Sequence, residues 1–335
     1  MTSTALESLP LFAFDTARRA WVQCATDGAG LGTADESVRL ASWNVLYEAS
    51  QRSHVARPDL RYPAVAETLR QRDADVIGLN EVSSSMLDVL LEAHWVRRDY
   101  LLSKVVSERM HMENLLLIHR RAAGRAQLFR LLTTSVPRRR PCLLVTLQTG
   151  RGALAVATAH LTAMARNAER RKRQLDEIFE RIDGAFSAKL FAAVLMGDLN
   201  LHNDFEDAYI ARPAWVDLWP AVHGDDDPGF TWDAPRNSLV GEAYGGFERR
   251  KMRLDRIVVR DTAGALDVAH ASMEIFGDVA INEDASRAYG GIGTSIRRLL
   301  SFVLTPVAKT LTADPYSYLF PSDHFGLAAE LPLAT

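Results

Sequence analysis

Acidic, amide and imidazole side chains recur along this chain at the ends of apolar segments of strand length. Three clear examples are Asn44 after "ASW", His160 after "AVATA" and Asp198 within "AAVLMGDLN". The complete set is Asn44, Glu81, His160, Asp198, Asn200, Asp255, Asp323 and His324. Strand ends are where α/β sheets commonly place ligand-binding groups. A single residue of this kind can be a turn former or a satisfied polar group of the core, but the recurrence favours one shared site.

The chemistry of these residue types is that of an oxygen-ligand metal site with proton-handling groups beside it. Carboxylate and amide oxygens are the ligands that Mg²⁺ and Mn²⁺ take, whereas Cys24 and Cys142 are too few and too far apart to build a zinc site. Histidines can donate hydrogen bonds to a phosphoryl oxygen. Because an aspartate beside a histidine orients the ring and raises its pKa, Asp255 is a candidate partner of His324.

The pattern of strands and helices that must position these residues predicts a layered α/β sandwich. From Val38 onward, apolar runs of strand length alternate with helical stretches, and several runs are apolar throughout, as strands covered on both faces must be. Four successive strand candidates between Asn114 and Leu161 have no helix between them, which argues against a simple doubly wound sheet. Residues 1–36 are predicted to be an N-terminal appendage with a possible hairpin and a flexible joint, and residues 37–335 the main domain.

Composition and charge limit the kinds of partner that this chain can bind. The chain has 335 residues and a net charge of −3, so a polyanionic ligand must be met by a local basic patch and not by the whole surface. The first residues do not read as a secretory signal, and the longest uncharged apolar stretch is far short of the roughly 20 residues needed to span a bilayer. We expect an intracellular protein, cytoplasmic or nuclear, that is monomeric and has no membrane partner.

Six short motifs, in order, resemble the endonuclease/exonuclease/phosphatase superfamily of DNase I-like, metal-dependent phosphoesterases. They are "SWN", "LNE", "AHL", "GDLN", "RLDRIVV" and "SDHFGL", spread from Ser42 to Leu327. Each motif alone is weak, whereas the ordered set is specific. The resemblance implies a four-layer α/β/β/α sandwich with its site at one end of two packed sheets. It also implies Mg²⁺, with Mn²⁺ as a substitute, held chiefly by Glu81 with Asn44 and Asp323 near the metal.

The same resemblance implies roles for the remaining members of the set. Asp198 and Asn200 would orient and activate water. His160 and His324 would stabilise the phosphorane, and Asp255 would support His324. The resemblance therefore implies phosphodiester hydrolysis with every expected acid and histidine present, which argues against a catalytically idle binding scaffold.

Two segments narrow the resemblance to the tyrosyl-DNA phosphodiesterase 2 branch. "GFTWDAPRNSL" ahead of "RRKMRLDRIVVR" resembles the Thr-Trp-Asp segment of that branch, and "AHLTAMARNAERRKRQL" resembles its His-Leu pair leading into an arginine-bearing helix. There are departures: Ala165 stands where an arginine is expected, with Arg166 one place later, and "LNE" replaces the more usual Leu-Gln-Glu. The implied substrate is a 5′-phosphodiester at a single-stranded or frayed DNA end, with a tyrosyl adduct as leaving group.

Candidate substrate-binding residues follow from this reading. Arg166, Arg170 and Arg171 are predicted to hold backbone phosphates, although a charge run of this kind is also typical of a solvated helix face. Trp232 is equally compatible with a core position and with an exposed platform on which a base or tyrosyl ring stacks. The cluster "PRRRP", at residues 137–141, is interpreted as a surface feature at the start of a strand.

Two alternatives stay open at the level of the sequence. An RNA end-processing phosphodiesterase or nuclease of the same fold would use the same catalytic set. Residues 281–320 are predicted to be an insertion that overhangs the site, but the apolar pattern at Ile296, Leu299, Leu300 and Val303 is equally compatible with a helix that caps the core.

Overall fold

The computed structural model describes most of the chain. The described residues are 6–24, 37–50, 56–106, 110–137, 140–149, 152–186, 190–243, 248–261, 264, 266–281 and 319–333. The predicted insertion at residues 281–320 lies outside the described residues except at its two ends.

Strands dominate the described part of the chain. Numbered in chain order, they are β1 (Leu6–Leu9), β2 (Leu11–Asp15), β3 (Ala20–Cys24), β4 (Ser37–Asn44), β5 (Val76–Val82), β6 (Tyr100–Leu102), β7 (Glu113–His119), β8 (Gln127–Leu131), β9 (Leu143–Thr149), β10 (Gly152–Thr158), β11 (Leu190–Asp198), β12 (Trp215–Asp217), β13 (Trp232–Asp233), β14 (Lys251–Met252), β15 (Asp255–Asp261), β16 (Ser272–Phe276) and β17 (Gly326–Pro332). The α-helices are α1 (Pro58–Arg72), α2 (Ser84–Glu92), α3 (His94–Asp99), α4 (Ala168–Phe186), α5 (Leu218–His223) and α6 (Ser238–Ala243). As predicted, β7 to β10 follow one another with no helix among the described residues between them.

The strands form two large mixed sheets and one small hairpin. One sheet has eight strands in the order β16-β17-β4-β5-β7-β6-β2-β3, and the other has seven in the order β1-β8-β9-β10-β11-β15-β12. β13 and β14 pair separately. In both large sheets a parallel pair at the centre, β4 with β5 or β10 with β11, is flanked by antiparallel strands.

Three apolar cores separate the four structural layers, one between the two sheets and one between each sheet and the helices that cover it. Side chains of both sheets, such as Leu40, Val76, Val156 and Val194, interdigitate in a core between them. Alternate residues of the eight-stranded sheet face outward and pack against buried residues of α1 and α2. α4 covers the outer face of the seven-stranded sheet in the same way. Strands buried on both faces must be apolar throughout, which is the pattern of these segments. The predicted α/β/β/α sandwich is confirmed.

The first strands of the chain are built into the sandwich. β2 and β3 form the predicted hairpin, but β1 pairs with β8 at the edge of one sheet and β2 pairs with β6 at the edge of the other. Residues 6–24 therefore extend both sheets, and the interpretation of this segment as an appendage separate from the main domain is corrected. Within the described residues, no helix is long and apolar enough to cross a membrane.

Candidate active site

Strand direction explains why polar residues far apart in sequence meet. β4 and β5 are parallel, as are β10 and β11, so the carboxyl ends of each pair lie together. β15 and β17 run antiparallel to β11 and β4, so their first residues lie at those same ends. In the register, Asp198 is opposite Asp255 and Asn44 is opposite Asn80. The structure brings the residues predicted from strand ends to one end of the sandwich.

Glu81 lies at an irregularity near the end of β5. Its φ of 60° is in the left-handed region, and the register with β7 shifts between Leu79 and Val82. A non-glycine residue in this region is strained and persists where the surroundings enforce it. The backbone N–H of Tyr47 donates to Glu81 Oε2 at 2.9 Å. Burial, together with the nearby charge of Asp323, raises the pKa of Glu81.

Asn44 connects the two sheets at this point. Its Nδ2 donates to Asp198 Oδ2 at 3.0 Å, and its Oδ1 accepts from the backbone N–H of Leu46 at 3.1 Å. The amide contributes to the hydrogen bonding that surrounds Glu81 and lowers its pKa, although burial outweighs that contribution. Glu81, Asn44 and Asp323 therefore gather oxygen atoms and excess negative charge on one side of the site.

His324 is held by two carboxylates. Its Nδ1 lies 2.8 Å from Asp255 Oδ2, and its Nε2 lies 3.9 Å from Asp198 Oδ2. Burial alone would lower the pKa of His324, but the charges of Asp255 and Asp198 outweigh it and hold that pKa well above its usual value. Burial raises the pKa of Asp198 to about 7, against the opposing charge of His324.

His160 is a second histidine with the opposite electrostatic character. Its Nε2 lies 3.5 Å from Asp198 Oδ2 and 3.9 Å from Glu81 Oε1. Burial, followed by the nearby charges of Arg140 and His324, lowers the pKa of His160 well below its usual value. The site thus pairs a readily protonated imidazole with a neutral one, an arrangement suited to donating and accepting hydrogen bonds around one anionic group.

Buried amides position the carboxylate of Asp198. Asn80 Oδ1 accepts from the backbone N–H of Asp198 at 2.8 Å, and Asn80 Nδ2 donates to Asn114 Oδ1 at 2.8 Å. Sequence reasoning noted Asn80 only as a departure within "LNE", and it did not single out Asn114. Asn200 also holds Asp198, because its backbone N–H donates to Asp198 Oδ1 at 2.9 Å. The side chain of Asn200 donates to the carbonyl of Leu161 at 3.3 Å.

The loop before β17 is anchored from several sides. Arg61, fully buried, donates to the carbonyl of Pro321 at 2.8 Å, and Trp43 Nε1 donates to the carbonyl of His324 at 2.8 Å. Ser322 Oγ donates to the carbonyl of Asn44 at 2.6 Å. These anchors hold the "PSDH" segment at the mouth of the last strand. Arg61 was not predicted, and an arginine within a helical segment offers no signal of such a role.

Three arginines predicted to bind phosphate have different environments. Arg166 and Arg170 are exposed. Arg171 is fully buried, and its guanidinium donates to Glu206 at 2.7 and 2.8 Å and to the carbonyls of Thr162 and Met164 at 2.9 and 2.7 Å. With its donors turned inward, Arg171 cannot contact a substrate phosphate, and its predicted role is corrected to a structural one. Much of the remaining charge run forms the solvated helix face that was the alternative.

Trp232 is a core residue. It is 5% exposed and packs with Ala234, Val240 and Leu254. A ring so deeply covered cannot offer a face to a base, so of the two roles left open the structure favours the core position. The segment has a different importance for the site: the hydroxyl of the preceding residue, Thr231, accepts from the backbone N–H of Asp255 at 3.1 Å.

Arg140 is a site residue that sequence reasoning missed. Its Nη1 lies 3.3 Å from Nδ1 and 3.4 Å from Nε2 of His160. It belongs to the "PRRRP" cluster that was interpreted as a surface feature, and residues 138 and 139 of that cluster lie outside the described residues. A separate cleft of about 590 Å³ is lined by residues that include His202, Phe230, Met252 and Arg253, and none of the candidate catalytic residues lines it.

Two groups of side chains are compatible with a cation. Asp198, Asp255 and His324 have ligand atoms that all lie within 4.8 Å of one another. In that group, however, Asp255 already bonds to the ring of His324, and the charges of Asp255 and Asp198 raise the pKa of that ring. A ring nitrogen that carries a proton has no lone pair for a metal. The oxygen atoms of Glu81, Asn44 and Asp323 better match a hard divalent cation, whose charge would also offset that of the crowded carboxylates.

Comparison with known proteins agrees with this geometry. The model of the Endonuclease/Exonuclease/phosphatase family matches residues 41–324. Truncated TDP2 from Caenorhabditis elegans is similar with a TM-score of 0.60 at 18% identity, over 88% of this chain and 97% of that chain. TDP2 from D. rerio complexed with single strand DNA product is similar with a TM-score of 0.59 at 18% identity, over 89% and 99%.

A third similar structure is the human Nocturnin catalytic domain with bound sulfate anion, with a TM-score of 0.54 at 16% identity over 89% of this chain and 95% of that chain. At such identities the likeness of these structures concerns the fold. No curated protein matches the chain significantly in sequence.

Proposed function

The chain belongs to the endonuclease/exonuclease/phosphatase family, whose members hydrolyse phosphoric esters, and we propose that it is a divalent-metal-dependent phosphodiesterase acting at nucleic-acid ends. The observation that carries the proposal is the convergence of Asp198 with two histidines of opposite character. His160 and His324 both lie within 4 Å of Asp198, and Glu81 lies beside His160.

Glu81, Asn44 and Asp323 would hold the cation, which we propose is Mg²⁺ in the cell with Mn²⁺ as a substitute. When bound, the cation supplies neutralisation of the charge on the phosphoryl group. The raised pKa of Glu81 reflects burial and the nearby Asp323 charge, which is the unfavourable electrostatics that a cation relieves.

The chain's own residues account for proton handling and charge stabilisation. His324 Nε2 donates a hydrogen bond to a non-bridging phosphoryl oxygen, while Asp255 holds the proton on Nδ1 and fixes the ring. Asp198, with a pKa of about 7, accepts a proton from the attacking water. Asn200 holds Asp198 in place through its backbone N–H. The neutral ring of His160 provides a further hydrogen bond to the developing phosphorane.

The substrate we propose is a single-stranded or frayed DNA 5′ end that carries a tyrosyl or similar adduct. The resemblance to tyrosyl-DNA phosphodiesterase 2, and the likeness to a TDP2 structure that holds a single-stranded DNA product, support this choice. Arg166 and Arg170 are exposed just beyond His160 and are available to backbone phosphates. The cleft whose lining includes Phe230 and Met252 has apolar side chains of the kind that suit an aromatic leaving group, and its Leu201 follows Asn200 directly in the chain.

A side-by-side product screen tests the proposal. The full chain is incubated with 5′-phosphotyrosyl DNA, 3′-phosphotyrosyl DNA, abasic duplex and RNA ends, each with Mg²⁺ and with EDTA. We expect release of tyrosine from the 5′ adduct that requires the metal and is lost in Glu81→Gln, with the exposed Glu92→Gln as matched control. Trimming of RNA ends alone would replace the DNA substrate with the RNA-processing alternative, and full activity in EDTA would reject the metal-dependent mechanism.

A further inference from the structure

The guanidinium of Arg140 reaches into the site beside His160. Its Nη1 lies at nearly equal distances, 3.3 and 3.4 Å, from the two ring nitrogens of that histidine. A nitrogen equidistant from both ring nitrogens is not aligned with the lone pair of either, so the imidazole does not satisfy this donor as a well-directed acceptor would. The contact places a permanent positive charge at the wall of the site. The guanidinium of Arg140 can still donate hydrogen bonds to another acceptor.

The loop that carries Arg140 is tied to the floor of the site. Pro141, the next residue, accepts from Asn114 Nδ2 at 2.9 Å through its carbonyl. Asn114 in turn accepts from Asn80, which accepts from the backbone N–H of Asp198 at 2.8 Å. On the other side, the backbone N–H of Arg140 donates to the carbonyl of Pro137 at 2.9 Å. Buried amides thus link the position of Arg140 to that of the catalytic carboxylate.

Arg140 differs in its charge balance from Arg171 and Arg256, whose charges are paired with carboxylates. Arg171 pairs with Glu206, and Arg256 pairs with both Asp207 and Asp217. Among the described residues, Arg140 has no carboxylate within 4.0 Å. A positive charge that is positioned by buried groups yet lacks an anionic partner is suited to an anion supplied from outside the chain.

We propose that Arg140 binds a phosphate oxygen of the substrate on the His160 side of the site. The proposal rests on the phosphodiesterase function and adds a substrate-binding residue to it. The planar guanidinium fork matches the oxygens of a phosphate group, and a hydrogen bond between two ionised partners is roughly twice as strong as a neutral one. The phosphate is either the scissile group or its neighbour along the strand. A substrate with a single phosphate can report only the first, whereas an oligonucleotide can report both.

The test compares Arg140→Gln, Arg140→Lys and Arg140→Ala with the wild type. The matched control is Arg125→Gln, because Arg125 is exposed before β8, at the end of the seven-stranded sheet away from Leu143 and the site. Two substrates share one leaving group: a p-nitrophenyl ester of thymidine 5′-phosphate, with a single phosphate, and an oligonucleotide with the same 5′ ester. Urea unfolding of each variant confirms that the fold is retained.

We expect Arg140→Gln to lower kcat/KM by about 10- to 100-fold and to raise the inhibition constant of inorganic phosphate by a similar factor, the scale of losing one hydrogen bond to a charged group. Arg140→Lys should recover part of both. Millimolar ethylguanidinium should restore activity to Arg140→Ala and not to the control. A loss on both substrates assigns the scissile phosphate, and a loss confined to the oligonucleotide assigns its neighbour.

Other outcomes would overturn the proposal. If phosphate inhibition is unchanged in Arg140→Gln while kcat falls, and ethylguanidinium does not rescue, Arg140 only positions His160. If the wild type hydrolyses no phosphodiester, the proposed function fails, but direct titration of inorganic phosphate into the Mg²⁺-loaded wild type and Arg140→Gln still tests the binding residue. Equal phosphate affinity of the two proteins would then reject it independently.

Discussion

Arg171→Met is expected to destabilise the protein without changing how its affinity for nucleic acid depends on salt. Arg171 and Glu206 are both fully buried, and the guanidinium donates to both carboxylate oxygens. Methionine retains much of the apolar stem and removes the charge. The change therefore leaves Glu206 in the interior without its cation, and it leaves the carbonyls of Thr162 and Met164 without their donors.

The magnitude follows from these contacts. Removing one partner of a buried ion pair costs about 3 to 5 kcal/mol, because the remaining charge is uncompensated. That is a large share of the roughly 5 to 15 kcal/mol by which native proteins are stable. Glu206 keeps the backbone N–H of His202 at 3.2 Å and the side chain of Asn203 at 2.7 Å, so we expect the lower part of the range.

Urea unfolding at pH 7 measures the loss, with Arg170→Met as the matched control because Arg170 is the exposed neighbour on the same helix. Arg171→Lys should recover little, since one ammonium cannot replace a fork that meets two oxygens and two carbonyls. Arg171→Met combined with Glu206→Leu should recover part of the loss, because no buried charge is then left alone.

The pH dependence provides a second measurement. Burial alone would raise the pKa of Glu206, but the hydrogen bonds and charge of Arg171 hold it below its usual value of 4.5. A carboxyl whose pKa is lowered on folding contributes stability that is fully present above the unfolded pKa and is lost as the pH falls through the folded value. The wild type should therefore lose this contribution below about pH 4.5, and Arg171→Met should not show it.

The reasoning would be refuted by an Arg171→Met variant that unfolds within about 0.5 kcal/mol of the wild type, the range typical of surface substitutions. It would also be refuted if that variant flattened the log-log salt slope of single-strand binding by about 0.7, the amount expected for one phosphate contact. Such a flattening is instead expected of Arg166→Met or Arg170→Met.

Three further predictions concern the site. Glu81→Gln should lower turnover by at least about 100-fold while leaving urea stability near that of the wild type. The activity that remains should no longer respond to EDTA titration. Asp255→Asn should lower the raised pKa of His324, so the alkaline limb of the kcat profile should move to lower pH; an unmoved limb would contradict a role for protonated His324. Gly197→Ala should cost about 2 to 4 kcal/mol of urea stability, because φ is +134° and an added Cβ would lie 2.1 Å from the carbonyl oxygen of Ala159; retained stability would show that the end of β11 tolerates a side chain at this position.

The convergence of the candidate site residues could be predicted from the sequence because its signal is local. Glu81, His160 and Asp198 each stand where an apolar strand gives way to a polar residue, and in a sheet the direction of the strands brings such ends together. The covered strands of both sheets have to be apolar throughout, and this pattern is visible within single segments of the sequence. The layered fold and the location of the site at strand ends were therefore accessible without coordinates.

Partnerships between distant segments were not accessible in this way. Arg166, Arg170 and Arg171 are chemically equivalent in a charge run, and only the approach of Glu206, 35 residues away, buries one and leaves the others in solvent. From the sequence, Arg140 was interpreted as part of a surface cluster. In the structure its guanidinium contacts His160, and the amides of Asn114 and Asn80 link the neighbouring Pro141 to Asp198.

The same limit applies to the first strands, which complete the edges of both sheets by pairing with β8 and β6. The sequence by itself determined which residue types face the core and which polar groups end the strands, because those depend on periodicity along one segment. The tertiary structure decided which arginine is buried, which tryptophan is covered and which arginine lies beside His160. Those properties depend on charge, burial and hydrogen-bond partners that come together only when separate segments pack.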